Sequence, residues 1–178
     1  ILEALDDDQI NVYRDVYRQL ISPVMKKETP GMVGISIVQQ KQIIPTFTFS
    51  KMIKEEFPDV HITIGGNIVT RIRDELKTQD KLFGYIDSAV LYEGENAYLQ
   101  LVDAVEDSKP LSGLPNLIYR DESGIHPNKD VCSEDLSKLP PPDFDGLALE
   151  KYFVPKLILP FLATRGCYWG RCTFCDHF

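Results

Sequence analysis

Apolar positions along this chain recur with two different periods. Over 7–26, DDQINVYRDVYRQLISPVMK, they fall at Ile10, Tyr13, Tyr17, Leu20 and Val24. Steps of three and four predict one helix with a single apolar stripe, which Pro23 would kink or end. GMVGISIV, 31–38, is a short Val/Ile run of the kind that forms a buried strand. A second helix is predicted from about Pro45, with Phe49, Ile53 and Phe57 four apart. DVHITIGG, 59–66, places Val60, Ile62 and Ile64 on one side of a strand that ends in two glycines. Residues 68–77 align Ile68, Ile72 and Leu76 on a third helix. IDSAVLY, 86–92, predicts a third strand, and EGENAYLQLVDAVED, 93–107, a helix that stacks Ala97, Leu101 and Val105.

Alternation of short apolar strands with amphipathic helices predicts an α/β domain. Its sheet should be open, parallel and covered by helices on both faces, in the Rossmann-like or flavodoxin-like manner. Beyond residue 115 the texture changes. NLIYRDESGIHPN, 116–128, reads as a hairpin turning at Asp121–Gly124, and the proline-rich stretch 137–153 as an extended linker. KLILPFLATRG, 156–166, reads as one more apolar strand. The expected organisation is an α/β domain over 1–115, hairpin and linker over 116–155, and a separate start over 156–178.

Composition narrows the partners. The chain has 178 residues, 43% hydrophobic and 26% charged, with a formal net charge of −8, so a globular core is expected. Acidic residues are spread throughout and Lys and Arg never cluster with aromatics, which excludes a basic face for nucleic acid. No apolar run approaches the roughly 20 residues of a membrane span. The first residue is Ile, without a Met start or a signal peptide, so the expectation is a piece of a longer protein. Apolar surface left where such a piece is cut could let it pair with a second copy.

In open parallel sheets, ligands bind outside the carboxyl ends of the strands. Three such ends lie near Ser36, Gly65–Gly66 and Tyr92–Gly94. Glycines there admit a ligand close to the backbone, or they serve a tight turn or close helix–strand packing. Gly94 alternatively begins a helix whose first turn carries acids, an arrangement that needs no ligand.

Three of the four cysteines stand near the end, in RGCYWGRCTFCDHF, 165–178, while Cys132 is isolated. Cys167, Cys172 and Cys175 have the spacing C-x4-C-x2-C. Such crowding suits metal ligation in a reducing cytoplasm better than a disulfide framework. An iron–sulfur cluster and a zinc ion are both candidates. Zinc would need a fourth ligand, and His177 lies only two residues from Cys175, a cramped pairing for a tetrahedral site. Three thiolates without a convincing fourth suit a cubane that leaves one iron open. Plain buried thiols are the third alternative.

RGCYWGRCTFC after an apolar strand resembles the cluster loop of radical S-adenosylmethionine enzymes. In that family three cysteines follow the first strand of a partial TIM barrel, often with an aromatic before the third, as Phe174 stands here. The resemblance implies that Cys167, Cys172 and Cys175 each ligate one iron of a 4Fe–4S cluster. The fourth iron would bind S-adenosylmethionine for reductive cleavage to a 5′-deoxyadenosyl radical. The family has three residues in the first spacer, where this chain has the four from Tyr168 to Arg171.

Upstream, GMVGISIV, ITIGGN, IDSAVLYEGENAYLQLV and KLPPPDFDGL occur in the order seen in the branch with an N-terminal cobalamin-binding domain. The resemblance covers roughly 31–178 and implies methyl transfer to an unactivated carbon or a related radical reaction. It places Ser36, Gly65 and Gly66 along the slot for the nucleotide tail of cobalamin and Gly94 on the corrin side. The Asp-x-His-x-x-Gly motif of many cobalamin domains is missing, and residues 1–30 contain no His. His61 and His126 match no motif and read as ordinary surface or hairpin residues. Two rivals remain: a radical S-adenosylmethionine iron–sulfur oxidoreductase whose α/β domain binds no cobalamin, and a zinc-stapled regulatory domain. In any of these readings the chain alone is not expected to catalyse a reaction.

Overall fold

The computed structural model describes residues 2–128, 131–160, 164–169 and 171–173. They fall into two compact units, 1–133 and 134–178. The first unit carries the sheet. Its helices and strands run α1 (Leu2–Leu5), α2 (Tyr13–Val16), α3 (Ser22–Glu28), β1 (Met32–Ser36), α4 (Ile43–Glu56), β2 (His61–Gly65), α5 (Asn67–Arg71), α6 (Arg73–Leu76), β3 (Ser88–Val90), α7 (Glu95–Glu106), β4 (Leu117–Asp121) and β5 (Gly124–Pro127).

The five strands form one sheet in the order β1-β2-β3-β4-β5. β1, β2 and β3 are parallel, as the helical crossovers between them require. β4 and β5 are antiparallel, so the sheet is mixed rather than wholly parallel as expected. The hairpin read over 116–128 does form, and it joins this sheet beside β3 instead of standing apart. A two-residue turn can only reverse a strand, so antiparallel pairing follows from the short Glu122–Ser123 connection.

The two faces of the sheet differ sharply. Val33 and Ile35, Ile62 and Ile64, Ala89 and Ile118 point to the side packed by α4, α5 and α6, where Phe47, Ile53, Val69 and Leu76 complete the main core. Val90 and Leu117 belong to a smaller cluster with Ala97 and Leu101 of α7. Alternation along each strand therefore puts Gly34, Ser36, His61, Thr63, Gly65 and Ser88 on the α7 side. One face is aliphatic and closed; the other is apolar over β3 and β4, where α7 packs, and small and partly open over β1 and β2, where Gly34 and Ser36 are exposed.

Three readings are revised. The helix read over 7–26 is interrupted, and Tyr17–Ile21 forms a π turn. A π turn closes five residues on, so the inward face passes from Tyr17 (2% exposed) to Ser22 and Met25. Ile10, Leu20 and Val24, expected inside, are 70%, 64% and 56% exposed. Glu56 explains the offset: Tyr17 and Ser22 donate to its carboxylate at 2.8 and 3.0 Å, and Lys26 lies 2.6 Å away. The helix read over 68–77 breaks at Ile72 into α5 and α6. In the second unit, the described residues of 156–166 carry no strand. Among the described residues, no helix is long and apolar enough to cross a membrane.

Candidate functional site

The carboxyl ends of β1 and β2 meet in register, with Ser36 opposite Gly65. The next residues are stitched together. The Ile37 amide donates to the Gly65 carbonyl at 2.7 Å, and the Ile68 amide donates to the Ile37 carbonyl at 3.2 Å. Gly66, between them, has φ 98° and ψ 171°, a region open to glycine and almost nothing else. A Cβ there would lie 2.6 Å from the Ile37 carbonyl oxygen. The two glycines therefore have separate roles. Gly66 lets two backbones cross; Gly65, whose added Cβ would stand 3.5 Å from the Val90 carbonyl, borders the open face without strain.

At the end of β3 the chain is held tightly. The Thr70 hydroxyl accepts the Tyr92 amide at 2.7 Å, and Tyr92 is left-handed, with φ 57°. The Arg73 guanidinium lies 5.8 Å from the Tyr92 ring centre. Asn116, 3% exposed, donates to the Glu93 and Cys132 carbonyls at 3.1 and 2.7 Å. Gly94 then begins α7, and an added Cβ would meet the Val90 side chain at 3.6 Å. Ser36, Gly65 and Gly94 thus border one edge of the open face, while Gly66 turns away toward Ile37.

Three residues of this face gave no sequence signal. Thr63 is 2% exposed, and its hydroxyl has no hydrogen-bond partner. Its register neighbour is Gly34, and Tyr98 of α7 lies over that glycine. A Cβ on Gly34 would be 2.7 Å from the Tyr98 hydroxyl oxygen and 3.0 Å from Cε2. A lone buried hydroxyl costs about 1–3 kcal/mol. The Tyr98 ring thus fills the space that Gly34 leaves, and the unpaired Thr63 hydroxyl is buried on the strand beside that glycine.

His61 sits at the other end of the strands. Its Nε2 is 2.8 Å from the buried Ser88 hydroxyl. Nearby, Asp87 accepts the Ile62 amide at 2.6 Å and pairs with Lys54 at 2.7 Å. His126 is 2.8 Å from both Asp121 and Ser123 in the hairpin. Neither described histidine is at the carboxyl edge, so neither can serve a ligand there.

Burial holds the His61 imidazole below its ordinary 6.5; the Asp87 charge opposes this and the Lys54 charge adds to it. The unfolded chain then binds the extra proton first, so this contribution to stability is complete above about pH 6.5 and is lost as pH falls through the lower folded value. The urea midpoint should drop between about pH 7.5 and about pH 5.5. In His61→Gln it should drop less; an equal drop would assign the effect to other groups.

An open cleft of about 440 Å³ lies on the helical side, lined by Tyr17, Arg18, Ser22, Lys26, Met52, Glu55 and Glu56. Its charged groups already have partners: Arg18 pairs with Asp8 and Asp15 outside the cleft, and Lys26 with Glu56 inside it. It offers a ligand little.

In the second unit, Cys167 and Cys172 are exposed. Cys175 and His177 lie outside the described residues. Among the described residues no three Cys, His, Asp or Glu side chains come together as a metal site.

No family model matches the chain. It is 29% identical over 161 residues to an uncharacterized methyltransferase of Pyrococcus horikoshii, an alignment covering 88% of this chain and 33% of the relative. The chain therefore spans about a third of that protein's length. Among solved structures, it is similar to the radical S-adenosylmethionine methyltransferase TsrM of Kitasatospora setae with cobalamin and a 4Fe–4S cluster bound. The TM-score is 0.50 at 18% identity, over 65% of this chain and 23% of that one. A second structure of TsrM, with tryptophan and an S-adenosylmethionine analogue, gives a TM-score of 0.49. The likeness establishes the Rossmann-like fold with its flanking helices.

Proposed function

We propose that this chain is the cobalamin-binding part, with the start of the cluster-binding part, of a methyl-transferring radical S-adenosylmethionine enzyme. The observation that carries the first half is the open face of β1–β3. Ser36 and Gly65 face each other at its carboxyl edge, and the unpartnered Thr63 hydroxyl lies below them. That donor set fits the nucleotide tail of cobalamin: small residues leave room along the strands, and hydroxyls supply hydrogen bonds. The methyltransferase relative and the C-x4-C-x2-C motif support the second half.

Cobalamin would carry the methyl group, and the cluster would supply the electron that cleaves S-adenosylmethionine. The chain's own residues do the holding. Ser36 is exposed at the mouth, where its hydroxyl can bond the tail. Gly65 lets the tail lie against β2, and Gly94 opens the end of α7 toward the corrin. Neither described histidine reaches this edge, so among the described residues no imidazole is placed to serve as lower axial ligand. Cys167, Cys172 and Cys175 would ligate the cluster.

Titration with hydroxocobalamin, followed by its visible spectrum, tests the reading. Wild type should bind saturably at one site. Gly65→Ala should weaken binding roughly tenfold or more, because the new methyl enters the tail path. Its stability should change by no more than about 0.5 kcal/mol. Absence of binding by wild type would remove the cobalamin assignment.

A further inference from the structure

We propose that Tyr98 sets what the open face admits: its ring stands over Gly34 in the place of a planar heteroaromatic group, and the ligand enters by displacing it. The proposal deepens the cobalamin reading and rests on it for the identity of the natural ligand. Three observations carry it. The ring lies directly against Gly34: an added Cβ would be 2.7 Å from the hydroxyl oxygen and 3.1 Å from Cζ, so any side chain there would have to push the ring aside. Gly34 therefore makes room for one flat aromatic group against the sheet.

Tyr98 is also poorly tied down. It is 40% exposed, and its hydroxyl has no hydrogen-bond partner among the described residues. Swinging it into water forfeits only partial burial of one ring, and the phenol gains solvation. Finally, Thr63 adjoins Gly34 in register and points to the same side of the sheet, with its hydroxyl buried and unpaired. Tyr98 leaves that hydroxyl unsatisfied; a heteroaromatic ring with a nitrogen at its edge could bond it. The exchange of ring for ring thus favours a base over an aliphatic group. Tyr98 and Thr63 are specificity residues in this scheme, one by exclusion and one by attraction.

Benzimidazole alone tests the gate without a corrin, by ligand-observed NMR titration of the full chain. Tyr98→Ala should bind it at least about tenfold more tightly than wild type, and Tyr98→Phe, which keeps the ring, should match wild type. Adding Thr63→Val to Tyr98→Ala should cancel the gain. Equal affinity in wild type and Tyr98→Ala, with both folded by their urea transitions, would overturn the proposal. Gain on Tyr98→Ala that survives Thr63→Val would overturn the role of Thr63.

A parallel titration separates this from the parent reading. Hydroxocobalamin should bind Tyr98→Ala more tightly than wild type, while cobinamide, which lacks the base-bearing tail, should bind both alike. A benzimidazole gain without hydroxocobalamin binding would keep the gate and discard cobalamin as its ligand. Equal gains for hydroxocobalamin and cobinamide would overturn the assignment of the slot to the base.

Discussion

After anaerobic reconstitution with iron and sulfide, this chain should carry about four irons and four acid-labile sulfides, and Cys172→Ala should carry almost none. The expectation comes from the ligand count. Cys167, Cys172 and Cys175 stand within nine residues of one another. A cubane bound by three protein thiolates keeps one iron open, so losing one of the three leaves two, too few to hold the cluster against chelators. Cys167 and Cys172 are exposed, so reconstitution does not require the fold to open. Cys132→Ala, which removes an isolated thiol in the first unit, should leave iron and sulfide unchanged. The visible absorption near the charge-transfer bands would follow the analytical result. Zinc without sulfide in the wild-type chain would instead mean a thiolate-rich structural site, and the enzymatic reading of this segment would fall.

Much of the fold could be read from local pattern. β1, β2, β3 and α7 lie where Val/Ile runs and the Ala97–Leu101–Val105 stripe place them, because each buries one continuous apolar set. Elsewhere tertiary contacts overrode the pattern. Leu20 and Val24 looked like core residues, but the π turn that brings Tyr17 and Ser22 to Glu56 rotates them outward. Burying two hydroxyls against a carboxylate that also meets Lys26 decided that geometry, and no apolar period reports such a network. The mixed sheet was half legible: the hairpin was visible in sequence, its docking beside β3 was not, because strand order is a long-range property.

Strand ends were legible in the sequence: Ser36 and Gly65 close β1 and β2 as register partners, and Gly94 caps α7. Thr63 was hidden, since a threonine in an alternating strand reads as an ordinary polar position, and only its missing partner marks it out. Tyr98 was hidden because helical periodicity says nothing about what a half-exposed ring covers. Gly34 likewise passed as one residue in an apolar run, although the Tyr98 ring lies directly against it.

Gly66 separates structural from ligand-binding demand most cleanly. Gly66→Ala should be strongly destabilised, for two additive reasons. The observed φ of 98° with ψ of 171° is a backbone region that costs a non-glycine residue about 1–3 kcal/mol. The new methyl would also meet the Ile37 oxygen, nitrogen and carbonyl carbon at 2.6, 2.9 and 3.0 Å. These are backbone atoms, fixed by the Ile37–Gly65 and Ile68–Ile37 hydrogen bonds, so relief requires shifting β1 against β2 and costs about 1–3 kcal/mol more. Their sum, roughly 2–6 kcal/mol, is a large part of the 5–15 kcal/mol that holds an ordinary domain together. Urea denaturation should show a markedly lower midpoint with little change in slope. Gly65→Ala, one residue away, should unfold close to wild type and yet lose hydroxocobalamin. If both variants unfold alike, the division of labour between the two glycines is wrong; if Gly66→Ala is as stable as wild type, the crossing at Ile37 is looser than its hydrogen bonds imply.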